Sequence, residues 1–117
     1  MVKIIKINKI FSNKGSVFKV LDKKKLYPIN EIYITTIKSR YPKRWRKHLN
    51  SDTVLLCIKG KIIVETEKIK KCIRDDFKNL IIIKKNTKFR LISLKSSSST
   101  MSFLKIVHKK LKTISYE

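Results

Sequence analysis

The chain contains no alanine, and its apolar residues come in short runs dominated by isoleucine and valine. Branching at Cβ restricts χ1 on a helical backbone and suits the pleated surface of a sheet, so local preference favours strand almost throughout. Val2 to Ile10, Val17 to Leu21 and Glu31 to Lys38 read as the first three strands, the third with Ile32, Ile34 and Thr36 on one face. Val54 to Ile58, Ile62 to Glu65, Lys70 to Arg74, Leu80 to Lys84, Phe89 to Leu94 and Ser102 to His108 follow. Asn13-Lys14-Gly15-Ser16 reads as a turn, Pro28 and Pro42 as parts of connections, Gly60 as a tight turn or bulge, and Lys95 to Thr100 as a surface loop. About eight short strands without helical crossovers predict an all-β sandwich or barrel and exclude a parallel α/β sheet.

A length of 117 residues and a hydrophobic fraction of 42% predict one domain, residues 1–117, around a modest core. Against 8 Asp and Glu stand 30 Lys and Arg, a formal charge of +22. Such an excess repels itself unless anions lie nearby, which points to a polyanionic partner; coding bias toward Lys is the alternative. The runs Val54 to Ile58 and Leu80 to Ile83 fall far short of the about 20 residues a spanning helix needs. Lys3, Lys6 and Lys9 interrupt the start, so no secretory segment is predicted and the expectation is a cytoplasmic chain with no membrane partner. Cys57 and Cys72 are too few for a disulfide framework and read as reduced thiols.

Two histidines, His48 and His108, are available for proton transfer or metal ligation. The stretch from Arg46 to Gly60 resembles the first motif of the cupin superfamily, with Arg46 at the position of the first His, His48 at the second, Asp52 near the carboxylate and Gly60 at the glycine. The second motif is echoed by Lys84, Asn86 and Phe89 at its Pro, Gly and His positions. Asn suits a left-handed turn. Phe offers no lone pair and Arg stays protonated, so no metal and no other cofactor is expected.

Four further segments, in order along the chain, resemble the dTDP-4-dehydrorhamnose 3,5-epimerases and their shorter, metal-free relatives. Lys14-Gly15-Ser16-Val17-Phe18 is similar to an Arg-Gly-x-Phe opening, Glu31-Ile32-Tyr33 to a Glu-x-Tyr strand, Trp45-Arg46-Lys47-His48 to a Trp-x-x-His element, and Ile106-Val107-His108 to the closing strand. The resemblance implies a cupin double-stranded β-helix, or jelly-roll barrel, that pairs as a homodimer. It also implies a nucleotide-sugar ligand, a dTDP- or NDP-linked 4-keto-6-deoxy sugar on a route to surface polysaccharide. Epimerisation beside a ketone needs a base, an acid and a cation near the enolate oxygen. His48 takes the place of the family's base at the mouth of the barrel. Arg44, Arg46, Lys61 or Arg90 would supply positive charge to enolate or diphosphate, and Lys14, Tyr33 and His108 would contact substrate. The Asp that orients the family's His has no counterpart in Val107-His108-Lys109, and none of Tyr27, Tyr33, Tyr41 and Tyr116 sits in the context of its catalytic Tyr.

Other readings of the same residues stand beside this one. His48 fits a surface position in a basic loop, His108 the end of an apolar strand, and Tyr33 and Trp45 core or rim aromatics. A degenerate cupin would bind the sugar nucleotide without turning it over. Alternatively, Tyr41, Trp45 and His48, interleaved with Lys43, Arg44, Arg46 and Lys47, suit a basic β-barrel that binds nucleic acid. Against that stands the spread of Lys along nearly every strand.

Overall fold

A computed structural model of the chain describes residues 2–19, 29–39, 44–104 and 110–116. Twelve strands follow one another: β1 (Val2–Lys6), β2 (Asn8–Ser12), β3 (Gly15–Lys19), β4 (Glu31–Lys38), β5 (Arg46–His48), β6 (Thr53–Lys59), β7 (Lys61–Thr66), β8 (Lys70–Arg74), β9 (Asn79–Ile83), β10 (Phe89–Ser93), β11 (Ser97–Leu104) and β12 (Thr113–Ser115). Among the described residues no helix is long and apolar enough to cross a membrane.

The strands form two five-stranded antiparallel sheets, ordered β1-β9-β6-β11-β4 and β12-β5-β10-β7-β8, with β2 and β3 as a separate hairpin. This is the all-β architecture that the residue pattern predicts and the jelly roll that the resemblance implies.

Burial explains why the strands of the two sheets read so differently. Thr53 to Cys57 of β6 and Leu80 to Ile83 of β9 are unbroken buried runs, as expected where both faces of a strand are covered. On the inner side Leu55, Cys57, Ile81 and Ile83 meet Ile37, Ile62, Val64, Ile73, Phe89 and Leu91 between the sheets. On the outer side Val54, Leu56, Leu80 and Ile82 pack with Ile7 and Phe103. Phe18 of β3 joins that outer cluster, its ring 5.1 Å from Phe77. The second sheet alternates instead: Ile62 and Val64 of β7, and Phe89, Leu91 and Ser93 of β10, are buried, while the residues between them are half-buried.

Several strand boundaries depart from the residue pattern. The first predicted strand is two, divided at Ile7, whose amide donates to the Lys78 carbonyl at 2.8 Å. The run predicted as a surface loop from Lys95 to Thr100 instead supplies the first half of β11, with Ser98 and Thr100 fully buried. Ser98 Oγ accepts the Lys61 amide at 3.1 Å and lies 2.7 Å from Ser93 Oγ. Its hydroxyl satisfies the turn between β6 and β7, which a solvated loop would not do. Gly60 occupies that turn at φ +83, and Asn86 takes φ +65 where a left-handed residue is predicted. Cys57 is buried, and desolvation pushes its thiol up to about 11, so it is neutral and inert at physiological pH.

Candidate active site

Successive residues of a strand point to opposite faces, so Arg46 and His48 share one side of β5 and Lys47 takes the other. Phe89 pairs with Arg46, and its buried side chain places that side between the sheets. Two antiparallel partners therefore build the site: β10 through Phe89 and β12 through Thr113, opposite His48, and Ser115, opposite Arg46.

His48 is 5% exposed, which removes it from the surface position in a basic loop. Its Nδ1 lies 2.8 Å from Thr113 Oγ1, and its ring meets the Phe89 ring edge-on, with centroids 5.4 Å apart. Its carbonyl accepts the Asn86 amide at 2.7 Å, and the next amide, Leu49, donates to the Lys112 carbonyl at 2.8 Å. Backbone and ring are thus both held. Thr113 is a site residue that the sequence pattern does not single out.

Arg46 lies half-buried on the same row. Desolvation lowers its pKa from the ordinary value and its charge interaction with Tyr33 opposes that, so the guanidinium remains a cation at neutral pH. Tyr33 stands on β4, where Glu31, Tyr33, Thr35 and Ile37 alternate inward and Ile32, Ile34, Thr36 and Lys38 outward. The buried hydroxyls of Thr53 and Thr100 have no hydrogen-bond partner among the described residues. Both stand on the inner faces of their strands, Thr53 beside Leu104 and Thr100 beside Cys57. Buried hydroxyls are ordinarily paired, so these are available to a ligand's hydroxyls or to water.

The remaining candidates are placed elsewhere. Arg90 and Lys61 point to the outer face of the second sheet, where Arg90 Nε bonds Glu65 Oε1 at 2.7 Å. Arg44 is exposed before β5, and Lys14 is exposed in the turn between β2 and β3. His108 lies outside the described residues, as do Tyr27 and Tyr41. Among the described residues no three His, Cys, Asp or Glu side chains converge as metal ligands would.

Asp52, the cupin-like carboxylate, ties down the turn after β9. Its Oδ2 meets Lys84 Nζ at 2.9 Å and its Oδ1 accepts the Lys85 amide at 2.8 Å. Partial burial works to raise its carboxyl, but those two contacts outweigh it and hold the pKa below the ordinary value. Glu65 is held low as well, chiefly by the Arg90 hydrogen bond. A carboxylate depressed by folding stabilises the fold above its unfolded pKa of about 4, and the contribution is lost as pH falls through the folded value. Thermal melts should therefore decline below about pH 4, and Asp52→Asn should be less stable at pH 7 with a shallower acid decline. An identical acid slope in that variant would remove Asp52 from the account.

A cleft of about 610 Å³ lies at the turns 66–69 and 84–88, lined by Lys47, Lys68, Lys88, Asn86, Thr87 and Tyr116 among others. His48 is not in its wall. Lys47, which lines the cleft, and His48 project from opposite faces of β5.

No protein-family model and no curated protein sequence matches the chain. Solved structures do. A TDP-quinovose 3,4-ketoisomerase from Campylobacter jejuni has a TM-score of 0.83 at 20% identity, over 98% of this chain and 92% of that one. A mutant 3,4-ketoisomerase from Thermoanaerobacterium thermosaccharolyticum, in complex with TDP-4-keto-6-deoxyglucose, has a TM-score of 0.77 at 18% identity, over 97% and 86%. A 3,5-epimerase from Legionella pneumophila, in complex with dTDP-4-keto-L-rhamnose, has a TM-score of 0.78 at 9% identity, over 99% and 72%. The chain therefore has the cupin jelly-roll fold of the dTDP-sugar ketoisomerases and epimerases.

Proposed function

We propose that the chain is a single-domain isomerase that takes a TDP-linked 4-keto-6-deoxy sugar into the barrel and moves a proton beside the ketone, with His48 as the base. The observation that carries this reading is the hydrogen bond of buried His48 to Thr113 in a partly buried site that also holds the Arg46 cation. With the proton on Nδ1 donated to Thr113 Oγ1, Nε2 carries the lone pair, the tautomer a general base needs. Arg46 would stabilise the enolate oxygen, and Tyr33, on the inward face of β4, would return a proton. The substrates of the similar proteins support the ligand class, and a route to surface polysaccharide in the cytoplasm suits such a product.

Removing the C3 proton is a step open to both ketoisomerisation and epimerisation, so the two outcomes need separating. Identity to the two ketoisomerases, 20% and 18%, exceeds the 9% to the epimerase and favours migration of the ketone. The test is to incubate the protein with TDP-4-keto-6-deoxyglucose in deuterated water and follow it by NMR. Deuterium at the carbons beside the ketone supports the reading, and a ketone moved to C3 identifies the ketoisomerase. Binding without exchange would leave a sugar-nucleotide carrier, the degenerate alternative.

Thr113 gives the proposal its own handle. A hydroxyl orients the imidazole without the negative charge that would favour imidazolium. Thr113→Asp should move the limb of the exchange–pH profile that reports the base upward by about one unit. Thr113→Val should lower exchange without that shift. An unmoved profile in both variants would remove Thr113 as the positioning residue.

We also propose that two copies pair across β4, the last strand of the first sheet among the described residues, where Ile32 and Ile34 are 52% and 58% exposed. Sedimentation should show a dimer for the native chain and a monomer for Ile32→Lys/Ile34→Lys; a monomeric native chain would end that proposal.

A further inference from the structure

The pleat gathers part of the cationic excess onto one surface of the second sheet. In the first sheet, the described Lys residues stand at strand ends, Lys38 and Lys59, or on the edge strand β1, as Lys3 and Lys6. The second sheet buries one face of its alternation, and apart from Arg46 and Lys71, which share the inward rows of β5 and β8, its charged strand residues lie on the other. Register places Lys61 beside Arg74, and Arg90 beside Glu65 beside Lys70, across β10, β7 and β8 on that outer face. Lys47 of β5 faces the same way. Among the described residues Glu65 is the one acidic side chain on these outward strand positions, and it is already matched by Arg90 and by Lys70 at 3.5 Å.

Two aromatic rings are set into this surface with cations against them. Lys88 Nζ lies 4.3 Å from the Tyr116 ring centroid and 5.7 Å from that of Trp45, and Arg90 Cζ lies 4.8 Å from that of Trp45. A row therefore runs Tyr116, Lys88, Trp45, Arg90, Glu65, Lys70 across the sheet. The cleft of about 610 Å³ opens at its Tyr116 end, where Lys47, Lys68 and Lys88 outnumber the one carboxylate of its wall, Glu67, and Val2 and Ile69 supply apolar surface. None of these groups takes part in the proposed chemistry, because Arg46 and His48 leave β5 on the opposite side.

We propose that the outer face of the second sheet binds single-stranded nucleic acid. Positive charge alone would suit any polyanion, since phosphates and sulfates attract it equally at long range. Rings at the same surface add the discriminating element: splayed bases stack on them, while a glycan offers no π-face and a duplex keeps its bases paired within. The Lys and Arg groups follow the backbone, Trp45 and Tyr116 take bases, and the cleft admits one nucleotide beside Tyr116.

Trp45 is the single tryptophan, so its fluorescence reports stacking directly. The full chain is titrated with a twelve-residue oligothymidylate, with heparin and with dTDP. The expected result is saturable quenching by the oligonucleotide, with log affinity falling steeply against log salt. Tyr116→Ala, in the cleft wall and outside both core clusters, should weaken the oligonucleotide about tenfold. Lys88→Glu should reduce the salt slope by about 0.7 for each phosphate it no longer neutralises. Three results would overturn the proposal: no quenching at low salt, heparin binding as tightly with Tyr116→Ala without effect, or dTDP alone matching the oligonucleotide. The first denies the surface, the second makes it a plain polycation, and the third assigns it to a mononucleotide. Sugar exchange is read independently, so either proposal can fail without the other.

Discussion

Replacing His48 with Asn is expected to lower deuterium exchange into TDP-4-keto-6-deoxyglucose by about a hundredfold to ten-thousandfold, the usual contribution of a positioned general base. Asn is close to imidazole in its near atoms and keeps a polar group toward Thr113, but it cannot accept a proton at neutral pH. Binding should survive, because the proposed ligand is held by its hydroxyls, its phosphates and the barrel walls as well. Calorimetry with dTDP should therefore give nearly the same affinity for both proteins. Circular dichroism matters as a control, since His48 is 5% exposed and packs against Phe89. A folded His48→Asn variant that exchanges at the native rate would take the base role away from His48.

The surroundings of His48 show where one-dimensional patterns run out. Strands β4 and β8 match their predicted limits, Glu31–Lys38 and Lys70–Arg74, and β9 and β10 differ by one residue at each end or at one end. Those strands have apolar residues at regular spacing or in compact runs, so burial is written locally. Strands β5 and β12 carry no such signal. Arg46-Lys47-His48 shows no apolar period, and Thr113-Ile114-Ser115 is short; β5 is a strand because β10 and β12 flank it, and β12 because it pairs with β5. Thr113 escapes a sequence reading for the same reason, standing 65 residues from the histidine it orients. Its one available signal is a β-branched pair after a basic stretch.

Polar composition misleads in a second way. The Ser run suggests a loop because Ser is common in solvent, yet Ser98, Thr100 and Ser102 are buried on the inward side of β11. Conversely, the spread of Lys argues against a charged surface until register shows which lysines share a face. The loop reading fails because it averages over residues that the pleat assigns to opposite sides.

That buried Ser98 also sets the largest expected effect on stability, Gly60→Ala. Gly60 links β6 to β7 at φ +83, a conformation that costs a residue with Cβ about 1–2 kcal/mol. An added Cβ would overlap Ser98 Oγ and come within 3.0 Å of the Ser97 carbonyl oxygen. The turn has little room to swing away, because the Gly60 amide donates to Asp75 Oδ2 at 3.0 Å and its carbonyl accepts the Asp75 amide at 3.1 Å. Strain and overpacking together predict a loss of about 3 kcal/mol, or roughly 12 °C in Tm for a chain of this size. Gly15→Ala is the comparison, since its φ is +145 but no atom lies within 4 Å of an added Cβ; it should cost clearly less. Ser98→Ala should cost less in the Gly60→Ala background than in the native chain, because there it also removes the overlapping oxygen while giving up the same bonds to Lys61 and Ser93. Additive losses in the double variant, or equal melting of the two glycine variants, would show that the turn relaxes and that Ser98 does not lock it. The exchange rate per folded molecule should stay near native in Gly60→Ala, because the turn stands at the end of β6 farther from His48, roughly 20 Å along the strand.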